Sequence, residues 1–169
     1  MLPLLAGVLA WLIPGAGHVY LGRAVRGVIL CLCINALFWT GVAVGGVFTV
    51  EPVTQRWWFA AQMCTGASGL AAWYRQDRVR DRISASIDAP APRRGRAGGA
   101  AWQREFTEAV IQDNLDLNYP SDTVARAYSG VAGMLNLMAI FDAVMLAGLG
   151  RVGEPPPQGK QPPPEEREK

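Results

Sequence analysis

The feature that most constrains this chain is the gathering of its apolar residues into four blocks, near 2–22, 25–50, 57–74 and 127–150. The charges fall almost wholly between these blocks. A soluble domain mixes apolar and polar residues at a period of 3.6 or 2. Long apolar runs without charge are instead the mark of membrane spans. As helices, the first and third blocks would be about 32 and 27 Å long, against a hydrocarbon core of about 30 Å. The second, uncharged from Gly27 to Val50, is longer than the core and should tilt. The pattern predicts an all-α, polytopic transmembrane helical protein with about four spans. Three spans occupy 1–74 and a fourth 127–150, with a cytoplasmic loop at 75–126 and a disordered Pro/Glu-rich tail at 151–169.

Within the first block, the stretch Trp11–Gly27 is apolar, is broken by Pro14, Gly15 and Gly17, and closes on Tyr20, Gly22, Arg23, Arg26 and Gly27. A proline inside a helix removes a backbone bond and clashes with the preceding turn. Glycines let backbones approach closely. The stretch therefore reads as a bent membrane helix turning tightly into a second one. It lacks the positive start and the small-residue cleavage site of a secretory signal, so no cleavage is expected.

Further along, Gly41 and Gly45 form a small-xxx-small pair that favours close helix contact. Trp39 and the pair Trp57–Trp58 suit the membrane interface. The third block carries Gly66, Ser68 and Gly69 at its middle, and its helix should run on into water through Arg75–Ile87. Residues 88–100, rich in Pro, Gly and Arg, are a linker that cannot build a core. An amphipathic helix is expected over 101–117, with Trp102, Phe106, Val110 and Leu117 near one face and Glu105, Glu108 and Asp116 on the other. Ser121 or Asp122 can cap the helix that becomes the fourth span.

Orientation follows from arginine placement. Arg23 and Arg26 lie between spans one and two, and Arg75, Arg78, Arg80, Arg82, Arg93, Arg94, Arg96 and Arg104 lie beyond span three. If all four blocks cross, both groups fall on one side. Lys and Arg mark the cytoplasmic side, so both termini are expected outside. Membrane lipid is one expected partner. Residues 75–126 are the expected surface for a protein partner. A net charge of +2 gives no reason to expect nucleic acid.

Few residues carry chemistry. His18 is the only histidine and can titrate near neutral pH. At a helix break, its commoner role is to satisfy freed backbone groups. Asp142 is the only acid inside a predicted span, and intramembrane ionisable groups are functional candidates. Its structural alternatives are a protonated acid bonded to a neighbour and a pair with Arg23 or Arg26; four crossings place Asp142 near the Pro14–Gly17 break and across the membrane from both arginines, which argues against the pair. Asn136 reads as interhelical glue. Cys31, Cys33 and Cys64 read as small packing residues. The chain has no H-E-x-x-H, P-loop or G-x-S-x-G pattern. The expectation is an inner-membrane protein with no enzymatic activity, metal or cofactor, and with a structural or protein-interaction role. The competing reading is a transporter or ion- or proton-conducting component using His18 and Asp142.

Pro14-Gly15-Ala16-Gly17-His18-Val19-Tyr20-Leu21-Gly22-Arg23, with Gly27 beyond, resembles the turn of the two-transmembrane-helix domain family. Residues 135–143, ending Phe141-Asp142-Ala143, look like the Asp-bearing end of such proteins, here separated by an inserted span and loop. The whole resembles an uncharacterised bacterial family of membrane proteins with that split arrangement. The resemblance implies membrane location and helical pairing, and no particular activity.

Overall fold

A computed structural model describes residues 2–50, 52, 56–87, 98–112 and 119–153. Among them are seven α-helices and no strand. They are α1 (Pro3–Leu12), α2 (Ala16–Tyr20), α3 (Ala24–Gly45), α4 (Arg56–Met63), α5 (Ala67–Ala85), α6 (Ala100–Gln112) and α7 (Tyr119–Gly148), with a 3-10 turn at Val47–Thr49 after α3. The all-α expectation holds. Two helices are long and apolar enough to cross a membrane: α3, and α7 over Thr123–Gly148.

These two helices pack antiparallel and form the frame. Gly41 lies on α7, where a β-carbon would sit 2.7 Å from the Ala125 carbonyl and 2.8 Å from the Ser129 amide. Gly45 meets the Ala125 side chain in the same way. The small-xxx-small pair is thus the seam of the α3–α7 crossing. At the other end of the frame, Arg26 on α3 reaches Asp142 on α7.

The first apolar block is not one helix. Ile13 is extended (φ −130°, ψ 114°), as a residue before proline prefers, and α1 ends there. Gly15 is left-handed at φ 85° and starts α2. The two short helices fold back on each other, with Gly17 against the Ala6 carbonyl and the Ala10 side chain. α1 begins beside Ala147, where Ala6 and Ala147 share one apolar cluster, and ends near Asn136. α2 then returns, and the Leu21 carbonyl accepts a hydrogen bond from the Gly153 amide at 2.8 Å. Both ends of the block therefore lie at the same end of the α3–α7 pair.

The third block does the same from the opposite end. α4 runs along α7, with Trp58 on Gly130 and the Ala61 carbonyl on Gly133. A turn through Cys64, Thr65 and Gly66 (φ 62°) breaks it. α5 then folds back, as the Phe59–Trp73 edge contact (centroids 6.4 Å apart) shows. It packs Ala72 with Ile34 and Phe38 and reaches the turn at Val47–Thr49.

Block length suggested four crossings. The packing instead gives two long helices and two helical hairpins entering from opposite ends. This alters the charge map. Arg23 and Arg26 lie at the start of α3, opposite the end where Arg75, Arg78, Arg80 and Arg82 leave on α5. α5 runs on past Arg75 to Ala85, and α6 covers Ala100–Gln112 of the expected amphipathic helix, whose residues 113–117 lie outside the described residues. The linker over 88–97 and the tail from 154 lie outside the described residues.

Candidate functional site

The two hairpin tips meet in the middle of the bundle. Gly66 sits directly against the Trp11 and Leu12 carbonyls, with no room for a β-carbon. Trp11 Nε1 donates to the Met63 carbonyl at 3.2 Å. A helix end leaves carbonyls without partners inside the helix, and two such ends meet here. Asn136 on α7 serves both. Its Nδ2 donates to the Ala10 carbonyl at 3.2 Å and to the Cys64 carbonyl at 2.8 Å, and the residue is fully buried. The predicted glue residue therefore joins α7 to both hairpins.

Other polar side chains in the apolar runs act similarly. Gln62 Nε2 donates to the Thr49 carbonyl (3.1 Å) and to Ser129 Oγ (2.7 Å). Ser68 Oγ donates to Asn35 Oδ1 at 2.6 Å. Gln62, Asn35 and Ser129 were not singled out in the sequence, and Ser68 was noted only for its place in the third block. The signal that picked out Asn136, a polar side chain inside an apolar run, marks Asn35 and Gln62 equally.

Nearer the α2 end lies the charged site. The Pro14–Gly15 break aims α2 so that His18 is fully buried, with Nε2 2.8 Å from Asp142 Oδ2. With Asp142 as a carboxylate, which only accepts, His18 Nε2 is the donor of this bond. Arg26 Nη2 approaches the same oxygen at 3.4 Å. Asp142 thus ties α2 and α3 to α7. It was the four-crossing topology that argued against an Arg26–Asp142 pair. Once the first block folds back, both residues lie at one end of α3. His18 Nδ1 is buried without a hydrogen-bond partner, so this imidazole has one ring nitrogen engaged and one bare.

The rest of the Pro14–Gly27 motif builds this site. A β-carbon at Gly17 would sit 3.1 Å from the Ala143 side chain, and Gly27 meets the Gly15 carbonyl. Tyr20 packs on the Ala6, Ala10 and Ala143 cluster. Gly22 is required for its left-handed backbone (φ 77°), since a β-carbon there would find ordinary space at 3.5 Å from Gly153. Arg23 precedes α3 with its Nε buried. On α5, Arg78 bonds the Tyr74 hydroxyl, and Arg80 lies over the Trp102 ring of α6. Arg93, Arg94 and Arg96 lie outside the described residues. Among the described residues no three His, Cys, Asp or Glu side chains gather as metal ligands would.

The model of a family of unknown function (DUF6677) matches residues 5–153, and the chain belongs to that family. The match covers both hairpins and both long helices. An uncharacterised family was the expectation; the two-transmembrane-helix domain is not part of what the match shows. No curated protein and no solved structure matches the chain.

Proposed function

We propose that the chain is a small integral protein of the bacterial inner membrane with a structural, partner-docking role and no catalysis of its own. In this reading α3 and α7 cross the bilayer and the two hairpins are re-entrant. The α5–α6 unit is a platform for a protein partner on the cytoplasmic side. One observation carries the reading: Asn136 bonds the freed carbonyls of both hairpins. Irregular backbone at membrane depth is tolerated only where protein or water satisfies it, and here the bundle's own side chain does so. Arginine placement supports the orientation. Of the ten arginines among the described residues, seven (Arg56, Arg75, Arg78, Arg80, Arg82, Arg104 and Arg126) lie on the side reached by the end of α3, and that excess marks the cytoplasm. The platform is ordered: Trp102 stacks on Phe106 at 4.6 Å, and Phe106 in turn meets Phe48.

Impermeant maleimide labelling of single cysteines in a Cys-less full chain tests this. Arg104→Cys should react only from the cytoplasm, Val152→Cys only from outside, and Leu12→Cys from neither. Reaction of positions 104 and 152 from one side overturns the two-crossing reading. Affinity purification with and without residues 98–112 tests the docking role, which requires a partner lost with α6.

A second reading is favoured by the buried His18 beside Asp142, with Nδ1 bare. Such a pair can hand on a proton, making the chain an ion- or proton-conducting component. Proton flux into liposomes holding the purified chain, abolished by Asp142→Asn, would select this reading over the first.

A further inference from the structure

A groove of about 220 Å³ opens between α3, α5 and the turn after α3, lined by Trp39, Val42, Ala43, Val47, Ala72 and Arg75. Its walls are apolar and its rim holds one cation. Arg75 is exposed, and among the described residues it has no hydrogen bond or ion pair. The arginines further along α5 differ: Arg78 is held by Tyr74 and Arg80 lies over Trp102. Arg75 also stands at the border where the apolar part of α5 gives way to charge, level with the end of α3. Trp39, which is 41% exposed, faces the same groove, and exposed tryptophans favour the headgroup level.

From this placement we infer that the groove is a binding site for one anionic phospholipid of the surrounding bilayer. Its acyl chain lies along Val42, Ala43 and Ala72, and its headgroup phosphate sits at Arg75. A basic pocket between helices at the headgroup level is the chemistry that retains acidic lipids. An aliphatic wall without the cation would take any lipid; a cation without the wall would take any anion. The combination selects a molecule with both parts. The inference rests on the membrane reading above, but not on its orientation or its partner.

Native mass spectrometry of the full chain, delipidated in neutral detergent, tests it by titration with phosphatidylglycerol, phosphatidylcholine, oleate and inorganic phosphate. The wild-type chain should retain phosphatidylglycerol over phosphatidylcholine by about fivefold. Arg75→Gln should abolish that preference and leave phosphatidylcholine retention unchanged. Arg78→Gln should keep it. Ala43→Trp, which fills the groove, should lower retention of both lipids. Several results overturn the inference: preference surviving in Arg75→Gln, equal loss in Arg78→Gln, unchanged retention in Ala43→Trp, or competition by phosphate or oleate as strong as by phosphatidylglycerol. Binding is read in micelles, so its failure is separable from a failed labelling map.

Discussion

His18 Nε2 lies 2.8 Å from Asp142 Oδ2 across 124 positions of sequence. The bond closes the α1–α2 hairpin onto α7, and Arg26 adds α3 to the same oxygen. Its two partners differ in what they stand to lose. The His18 side chain is fully buried, whereas those of Asp142 and Arg26 are 40% and 53% exposed. A half-exposed ion pair adds about 0–1 kcal/mol. An imidazole left unpaired in the interior costs about 1–3 kcal/mol. The histidine bond therefore outweighs the arginine contact.

Substitutions at Asp142 should follow that order. Asp142→Asn keeps an acceptor for His18 and should lower stability by about 1 kcal/mol or less. Asp142→Leu leaves both His18 ring nitrogens unpaired and should cost about 1–3 kcal/mol. Arg26→Gln should cost no more than about 1 kcal/mol. Thermal unfolding of the purified chain in detergent reads all three. Equal losses for Asn and Leu would show that the hydrogen bond contributes nothing.

Asn136 should be the most sensitive polar position. Hydrogen bonds between membrane helices average about 0.6 kcal/mol. That figure reflects partners which regain other bonds when separated. Here Asn136 serves carbonyls already freed by helix breaks, and two of them at once. Asn136→Leu should therefore cost about 2 kcal/mol or more by the unpaired-group scale. Asn136→Asp should fare no better, because an ionised carboxylate has no donor to offer the Ala10 and Cys64 carbonyls. The same melting measurement decides. A small loss in either variant would mean that the two tips hold without this bridge.

The glycines of the turn should separate by mechanism. Gly17 is pressed on the Ala6 carbonyl, with Ala143 Cβ 3.1 Å from where its own β-carbon would sit. Gly17→Ala should therefore overpack the hairpin and cost about 1–3 kcal/mol. Gly22 has space but a backbone φ of 77°. Asn tolerates that region better than other side chains, so Gly22→Asn should melt within about 1 kcal/mol of wild type and Gly22→Val well below it. If both glycines tolerate Val equally, neither the crowding nor the φ constraint is real.

The two long helices were readable in the sequence because each is an unbroken apolar run. The first break was readable as well, since Pro14 forces it locally. The second was not: Thr65 and Gly66 carry no proline, and a glycine is common inside membrane helices. What sequence could not show is the direction taken after each break. Apolar periodicity reports which residues avoid water, and it is the same for a helix that crosses as for a hairpin that returns. The four-crossing expectation carried through to the side assigned to Arg26, and so to its contact with Asp142. His18 and Asp142 were visible singly, as rare ionisable groups in apolar surroundings. Their pairing depends on the fold-back, which contact with Gly7, Gly17 and Gly27 makes possible.

The last expectation concerns α6 and whether it is an independent platform. Trp102 is 5% exposed, stacks on Phe106 and lies under the Arg80 guanidinium. Val110 is the other buried residue of this helix. A thirteen-residue helix is marginal alone in water, so α6 depends on this aromatic contact for its place on α5. Replacing a buried Trp by Ala costs about 3–5 kcal/mol where the surroundings cannot close the gap. That exceeds what so few contacts hold, so Trp102→Ala should free α6 altogether. The loss should stay local, because the bonds of Asn136, Gln62 and His18 lie in the bundle and not on α6. Limited proteolysis should then cut Trp102→Ala rapidly within 98–112 while the detergent melting transition stays near that of wild type. Phe106→Leu, which keeps an apolar neighbour for the ring, should be cut at an intermediate rate. A Trp102→Ala chain whose main transition falls as far as that of Asn136→Leu would show α6 to be part of the bundle's stability, and the platform reading would fail with it.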